Sequence, residues 1–282
     1  MPGPLRIKAF AKVNLFLEIV DRRSDGYHLL STVFQTISLA DELTLRPAET
    51  LELSCSDPAL PTDETNLAMR AAVWLKAGLG EKKGAAIHLD KKTPMGAGLG
   101  GGSSDAAAVL TGLSKLWRRQ PAGSMLIKGA GKLGADVAFF LKGGTCAAAG
   151  IGDNLKPLPK LAKTWLVLVY PGFGVSTKEA YSKVKVALSG KRSLKNLIPL
   201  LAKPRPHAWV GELFNRFEEF IFPDHPELPQ LKRELVEAGA LGALMSGSGS
   251  SVFGVVENEA QGRKIWSGIR KKYPQSWLVH TV

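Results

Sequence analysis

Cysteine is nearly absent from this sequence. Its 282 residues hold two, Cys55 and Cys146, with no C-x-x-C pair and no histidine at ligand spacing beside either. That excludes a disulfide framework and a cysteine-based zinc site, and leaves two small buried hydrophobes in a reducing compartment. No uninterrupted apolar run is long enough to span a bilayer, and no leader pattern of basic residues, apolar run and small-residue cleavage site opens the chain. The expected location is therefore cytoplasmic, with no membrane partner. Also missing is any long basic tract interleaved with aromatics. Lys and Arg outnumber Asp and Glu by 37 to 25, a formal charge of +12, but the excess is dispersed in pairs such as Lys82-Lys83, Lys91-Lys92, Arg118-Arg119 and Lys271-Lys272. This is the pattern of a solvated surface, and nucleic acid is not the expected partner. No internal repeat is visible.

What is present is enough apolar material, 45% of the residues, to bury one large core or two modest ones. Residues 5–20 are rich in β-branched and aromatic side chains and read as one or two strands, followed by turn chemistry at Ser24-Asp25-Gly26 and a second strand around Glu42 to Arg46. Leu67, Ala71, Val73, Trp74 and Leu75 recur at helical spacing before Gly78 and Gly80. "AAIHLDKKTP" is a short strand closed by Pro94. "DAAAVLTGLSKLWRR" is a helix with Asp105 in its first turn, and "SMLIKGAGKLG" is another. "ADVAFFLKGGTCAAAGIGD" reads as a buried turn and strand pair. The Lys/Pro-rich residues 153–164 are the best candidate for a link between domains. Beyond it "WLVLVYP" reads as a buried strand. Residues 176–188, 208–222 and 228–240 have helical periodicity, "GALMSGSGSSVFGVV" is strand, glycine turn, strand, and a last helix and strand close the chain. Strands and helices mix without strict βαβ alternation, so the expected class is α+β, in two domains, 1–158 and 159–282.

The stretch "PMGAGLGGGSSDAAAVL" holds more glycine than a connection needs. Gly96, Gly98 and Gly101 satisfy G-x-G-x-x-G. A dinucleotide fold also requires an acid about twenty positions on to hold the ribose, and from Ala106 through Ala135 there is neither Asp nor Glu. A Walker A loop is excluded because no Gly-Lys-Ser/Thr closes the run. What remains is a different phosphate cradle, in which glycines let backbone N–H groups and a helix N-terminus approach the anionic oxygens of a nucleoside triphosphate. Ser103 and Ser104 offer hydroxyls, and Lys91 or Lys92 a charge beside the loop.

This stretch resembles the second motif of the GHMP kinases, P-x-G-x-G-L-G-S-S-A, in a longer G-G-G-S-S form. "AKVNLFLEIVDRRSDGYHLLSTVFQTISLADEL", "GADVAFFLKGGTCAAAGIGD" and "LMSGSGSSVFGVV" are similar to other stretches of the same family, and the likeness spans nearly the whole chain. The D-G-Y-H segment, Asp25 to His28, points within the family to the branch acting on a cytidine diphosphate sugar alcohol, and away from mevalonate and homoserine. The resemblance implies an N-terminal domain like ribosomal protein S5 domain 2 and a C-terminal ferredoxin-like α/β sandwich. It also implies phosphorylation by ATP, with Mg²⁺, of the 2-hydroxyl of 4-diphosphocytidyl-2-C-methyl-D-erythritol in non-mevalonate isoprenoid biosynthesis, by a monomer or weak homodimer.

Carried over position by position, the likeness makes Lys12 and Asp136 the catalytic pair, with Asp136 holding the hydroxyl and taking its proton while Lys12 stabilises the passing charge. ATP would lie along Pro94, Met95, Gly96, Ala97, Gly98, Leu99, Gly100, Gly101, Gly102, Ser103 and Ser104, with Asn66, Leu67 and Lys91 beside it. Ser104 is the candidate protein ligand for Mg²⁺ carried by ATP. Tyr27 and His28 would receive the cytidine end, Tyr181 would stack on its base, Asn14 and Thr177 would contact the diphosphate, and Gly247 and Ser248 would approach from the second glycine turn. The sequence departs from the family pattern at Asp105, Ala138, Asp153 and Arg216. An RNA-binding protein is the rival from another class, since an S5-like fold with this charge suits RNA, but two glycine turns together with Lys12 and Asp136 point to the enzyme.

Overall fold

A computed structural model describes residues 3–184 and 192–282. Along the chain the elements are β1 (Leu5–Arg22), β2 (His28–Ala48), β3 (Leu51–Cys55), α1 (Leu67–Leu79), β4 (Gly84–Asp90), α2 (Gly101–Leu116), α3 (Gly123–Leu133), α4 (Val137–Lys142), β5 (Thr145–Gly150), β6 (Asn154–Pro157), β7 (Trp165–Val169), α5 (Thr177–Ser182), α6 (Leu194–Leu201), β8 (Phe214–Asn215), α7 (Glu218–Ile221), α8 (Glu227–Glu237), β9 (Gly242–Met245), β10 (Val252–Val256), α9 (Glu259–Ile269) and β11 (Ser276–His280). The residues gather into two compact units. One comprises Met1–Ala11, Leu39–Thr93 and Gly100–Gly143, the other Lys12–Ser38, Pro94–Leu99 and Gly144–Val282. β1 and β2 are long enough to contribute to both.

In the first unit β4 pairs antiparallel with the second half of β2 and parallel with β3, and helices α1 to α4 pack on one another. α1 begins where the Asn66 side chain accepts the Ala68 N–H, and it ends on Gly80 in the left-handed conformation, the signals its sequence carries. The alanines of α2 are buried, which lets the helix approach its neighbours closely.

In the second unit β5 pairs with the first half of β2 and with β6, so the Lys/Pro-rich stretch carries a strand. The C-terminal part forms a four-stranded antiparallel sheet ordered β11-β7-β10-β9. The run β7, helices, β9, β10, α9, β11 with that order is the split βαβ arrangement of a ferredoxin-like fold, and α8 and α9 pack on its strands. Leu166, Val167, Leu168 and Val169 are fully buried, as a continuous apolar strand requires.

Three expectations are corrected. Residues 5–22 form one strand, within the one or two expected, but the strand expected near Glu42 to Arg46 runs from His28 to Ala48. The stretch from Ala135 begins with helix α4 rather than a turn and strand pair. Residues 208–222 are not one helix but two 3₁₀ turns, β8 and the short α7. Here tertiary pairing overrides periodicity: Phe214 and Asn215 lie beside Phe16 and Leu17 of β1, and the Asn215 amide donates to the carbonyls of Met245 and Gly247 at 2.7 and 2.8 Å. Of the helix expected over residues 176–188, α5 covers Thr177–Ser182, and residues 185–188 lie outside the described residues. Neither cysteine is in a disulfide; Cys146 is buried as expected, whereas Cys55 is only partly buried, and no helix among the described residues is long and apolar enough to cross a membrane.

Candidate active site

The glycine loop leaves β4 and runs to the start of α2. Its carbonyls are turned into the protein. Gly96 O accepts from Val175 N at 3.0 Å, Ala97 O from Ser251 N at 3.2 Å, and Leu99 O from Lys12 N at 3.0 Å. Gly98 O accepts from both Lys12 Nζ at 3.0 Å and Ser246 Oγ at 2.9 Å. In a trans peptide the next N–H points opposite to the carbonyl, so the amides of residues 97–100 face away from these donors. α2 then starts on Gly100, left-handed at φ 69° and giving no side-chain cap, which leaves the first helical N–H groups for an external acceptor. Successive amides facing outward make the kind of nest that can receive an anion.

Not every glycine in the loop serves that nest. A Cβ on Gly98, itself at φ +73°, would lie 1.9 Å from the Ser246 carbonyl oxygen. Its bareness is demanded by the second glycine turn, whose Gly247 in turn has no room for a side chain beside Gly98. At Gly102, by contrast, a Cβ would meet only Leu67 Cδ1 at 3.7 Å. That contact places Leu67 beside the loop helix, next to Asn66, whose amide caps α1 and donates to Pro61 O at 2.8 Å.

Of the two serines, Ser104 is buried and donates its hydroxyl to Phe10 O at 2.7 Å. Ser103 is half-buried, and a Cβ on Gly134 would stand 3.8 Å from its hydroxyl, so the Gly134-Ala135-Asp136 segment lies near the start of α2. Asp136 is half-buried at the N-cap position of α4.

Lys91 Nζ lies beside the loop, 3.1 Å from where a Cβ on Gly101 would stand, and is buried between two carboxylates, Asp41 at 2.6 Å and Asp105 at 2.9 Å. Asp41 also accepts the N–H groups of Lys92 and Thr93 at 2.6 and 2.7 Å. Asp105 is not the first-turn acid expected, because α2 begins at Gly101. Burial pushes the Asp105 carboxyl up to about 7 against the pull of Lys91, with the Asp41 charge adding to the rise. The lysine itself is held above its ordinary value by the two carboxylates, although burial works the other way.

Lys12 Nζ, buried on β1, donates to Asn14 Oδ1 at 2.7 Å as well as to Gly98 O. Asn14 Nδ2 donates to Thr32 Oγ1 at 2.8 Å, and Thr32 Oγ1 donates to Phe16 O at 2.6 Å. Asn14 is 1% exposed, with its amide oxygen on Lys12 and its amide nitrogen on Thr32. At the start of β2, His28 is buried and its ring stacks on Tyr181, centroids 5.1 Å apart, while Tyr181 meets Phe217 edge-on. His28 Nε2 is buried with no hydrogen-bond partner. Burial, reinforced by the Arg22 charge, holds the imidazole below its ordinary pKa and therefore neutral at pH 7. Tyr27 is 61% exposed in the turn before it. Thr177 Oγ1 lies 3.3 Å from Ser248 Oγ, which joins two of the expected substrate contacts. Arg216, a departure from the family pattern, has two hydrogen bonds of 2.7 Å to Glu18, pairs with Glu219, and lies over the Phe214 ring.

Residues 66–144 match the family described as GHMP kinases N terminal domain, and residues 197–275 match GHMP kinases C terminal. The chain is 36% identical over 280 residues to 4-diphosphocytidyl-2-C-methyl-D-erythritol kinase of Alkaliphilus metalliredigens, covering 98% of this chain and 96% of that one. Against the same enzyme of Desulfitobacterium hafniense it is 43% identical over 279 residues, covering 97% and 94%. The chain belongs to the 4-diphosphocytidyl-2-C-methyl-D-erythritol kinase family. A crystal structure of 4-(cytidine 5'-diphospho)-2C-methyl-D-erythritol kinase superposes with a TM-score of 0.84 at 36% identity, covering 98% of this chain and 99% of that one. Homoserine kinase from Cytophaga hutchinsonii, at a TM-score of 0.77 and 21% identity over 100% and 95% of the two chains, shares the fold. The two-domain GHMP fold and a phosphotransferase activity with ATP as donor follow from that membership.

Within this kinase family frame, the sequence reading passed over Asp41, Thr32 and Asn215. Asp41 and Thr32 sit in strand sequence among apolar neighbours, where only tertiary pairing reveals their partners. Asn215 carried a signal in its N-R-F-E segment, but its carbonyl partners lie thirty residues and more away.

Proposed function

We propose that this chain transfers the γ-phosphoryl group of ATP to the 2-hydroxyl of 4-diphosphocytidyl-2-C-methyl-D-erythritol, giving the 2-phosphate and ADP in non-mevalonate isoprenoid biosynthesis. The observation that carries the phosphate side is the row of amides at residues 97–100 freed by carbonyls bound inward. The cytidine side rests on His28, a neutral ring with an unpartnered nitrogen, suited to a hydrogen bond with a pyrimidine edge.

Asp136 holds the acceptor hydroxyl and receives its proton on a carboxylate oxygen as the oxygen attacks the γ-phosphorus and ADP leaves. Phosphoryl transfer has a loose transition state, so orientation and charge neutralisation count for more than base strength. Lys12, fixed to Gly98 O and Asn14, presents its charge to the transferring group. Among the described residues no three His, Cys, Asp or Glu side chains are grouped to hold a metal. Mg²⁺ would come as a companion of the triphosphate, with a hydroxyl of Ser103 or Ser104 offered to it. When bound, the ion neutralises phosphate charge. Pro94, Met95, Gly96 and Ala97 form the entry to the nest and Gly100, Gly101 and Gly102 its floor, with Asn66 and Leu67 on the adenine side. Tyr27, Tyr181, Thr177, Gly247 and Ser248 belong to the cytidine substrate's side.

We also read the chain as cytoplasmic, as divided near residue 158, with one matched family segment on each side, and as a monomer or weak homodimer, which sedimentation checks. An ADP-release assay with 4-diphosphocytidyl-2-C-methyl-D-erythritol, mevalonate and homoserine in parallel tests the activity. Turnover should be confined to the cytidine substrate. Equal turnover of all three removes the substrate assignment, and salt-resistant RNA capture on a filter favours the binding-protein rival.

A further inference from the structure

We propose that Thr32 is a positioning residue for Lys12, acting through the Asn14 amide. A carboxamide has two ends of opposite character, and a flip of Asn14 would turn its NH₂ group toward the lysine ammonium. What prevents the flip is the hydroxyl of Thr32. A threonine hydroxyl carries one proton, and the 2.6 Å contact to Phe16 O commits that proton to the strand backbone. Toward Asn14 the hydroxyl can then only accept, so it takes Nδ2 at 2.8 Å. The amide oxygen is thereby left facing Lys12 Nζ at 2.7 Å. The chain of donors runs one way from the ammonium to the β1 carbonyl, and none of its links is reversible without leaving a buried polar atom unpaired.

The surroundings make the selection strict. Lys12, Asn14 and Thr32 are 4%, 1% and 0% exposed, among Val13, Leu15, Phe16 and Val33, which are buried as well. No bulk water stands in for a missing partner there. The second donor contact of Lys12, to Gly98 O, ties the same ammonium to the phosphate loop, so the relay sets where the charge stands relative to the nest. Nothing in the sequence around Thr32 marks it apart from other strand threonines.

This inference rests on the catalytic reading of Lys12, and the test separates the two. Thr32→Val keeps the shape and removes the hydroxyl. The expected result is a loss of kcat of about 10²-fold, the scale of a misplaced catalytic group, with KM for ATP and for the cytidine substrate within about threefold and Thr32→Ser restoring turnover. In a Lys12→Met background, Thr32→Val should lower kcat no further, since the group it positions is gone. If Lys12→Met is inactive while Thr32→Val keeps wild-type kcat, the relay is overturned and the lysine stands. If Lys12→Met keeps its turnover, the lysine's role and the relay fall together. An additive loss in the double variant also overturns the relay, because it marks Thr32 as a general contributor to folding. Should Thr32→Val not fold, Thr32→Ala carries the same split of kcat from KM.

Discussion

Alanine at position 98 and alanine at position 102 should fail in opposite ways. At Gly98 the added Cβ would stand 1.9 Å from the Ser246 carbonyl oxygen, where real contacts do not come below 3.0 Å, so one backbone must retreat by about 1 Å, an overpacking that costs about 1–3 kcal/mol. The left-handed conformation at φ +73° adds roughly 1–2 kcal/mol for a residue bearing Cβ. Together these amount to about 2–5 kcal/mol, and at roughly 2–4 °C per kcal/mol in a chain of this size the melting temperature should drop by about 4–20 °C. At Gly102, exposed in the first turn of α2, the methyl meets ordinary van der Waals distance and gains up to about 1 kcal/mol of helix propensity. The melting temperature should hold or rise by a degree or two, while KM for ATP climbs about tenfold because the methyl stands where phosphate approaches. Calorimetry and ADP-release kinetics on both variants check the pair. Gly98→Ala melting within about 2 °C of the parent refutes the packing argument, and an unchanged ATP KM in Gly102→Ala refutes the placement of the phosphates.

Asp136→Asn should retain ATP binding in a fluorescence titration yet lose about 10³-fold or more in kcat, because it removes the group that takes the proton. His28→Ala should raise KM for the cytidine substrate with kcat nearly unchanged. In the parent, since the His28 pKa lies below the ordinary histidine value, that KM should stay flat from pH 8 to about 6.5 and rise only under more acid conditions as the ring takes a proton. The same depression contributes stability above the unfolded pKa that is lost as pH falls. Lys91→Met leaves Asp41 and Asp105 buried without their cation and should cost about 3–5 kcal/mol in chemical denaturation. Because Asp105 is pushed up to about 7, the folded state holds a proton that the unfolded chain releases near pH 4. Stability should therefore fall as pH rises from about 4 to 7, and Asp105→Asn should flatten that slope in melting curves.

The parts of the fold that local rules govern were legible. Asn66 as a cap, Gly80 as a stop, the apolar run at β7 and the two glycine turns each announce themselves within a few residues. The glycine loop stands out because its glycines exceed any turn's requirement, but the sequence does not say which of them must be bare for another backbone. That distinction belongs to Ser246, far along the chain. The ion pairs of Lys91 were hidden for the same reason. Its partners, Asp41 and Asp105, lie 50 and 14 residues away. The helix expected over residues 208–222 shows periodicity yielding to strand pairing, with β8 completing an edge of β1 that no local pattern reveals. Lys12 and Asp136 were visible only through family likeness, since neither stands in a local pattern that separates a catalytic charge from a structural one.

Contacts within the second unit join residues that leave the ribosome far apart in time. Ser38 accepts the His280 N–H, 242 positions later, and Glu18 waits 198 positions for Arg216. Loops of that length close slowly, so the early strands that hold Lys12 must remain without their late partners through most of synthesis. A chain stalled near its end would carry the complete glycine loop and still lack a finished second unit. Such a nascent chain should therefore engage chaperones until its last strand is released.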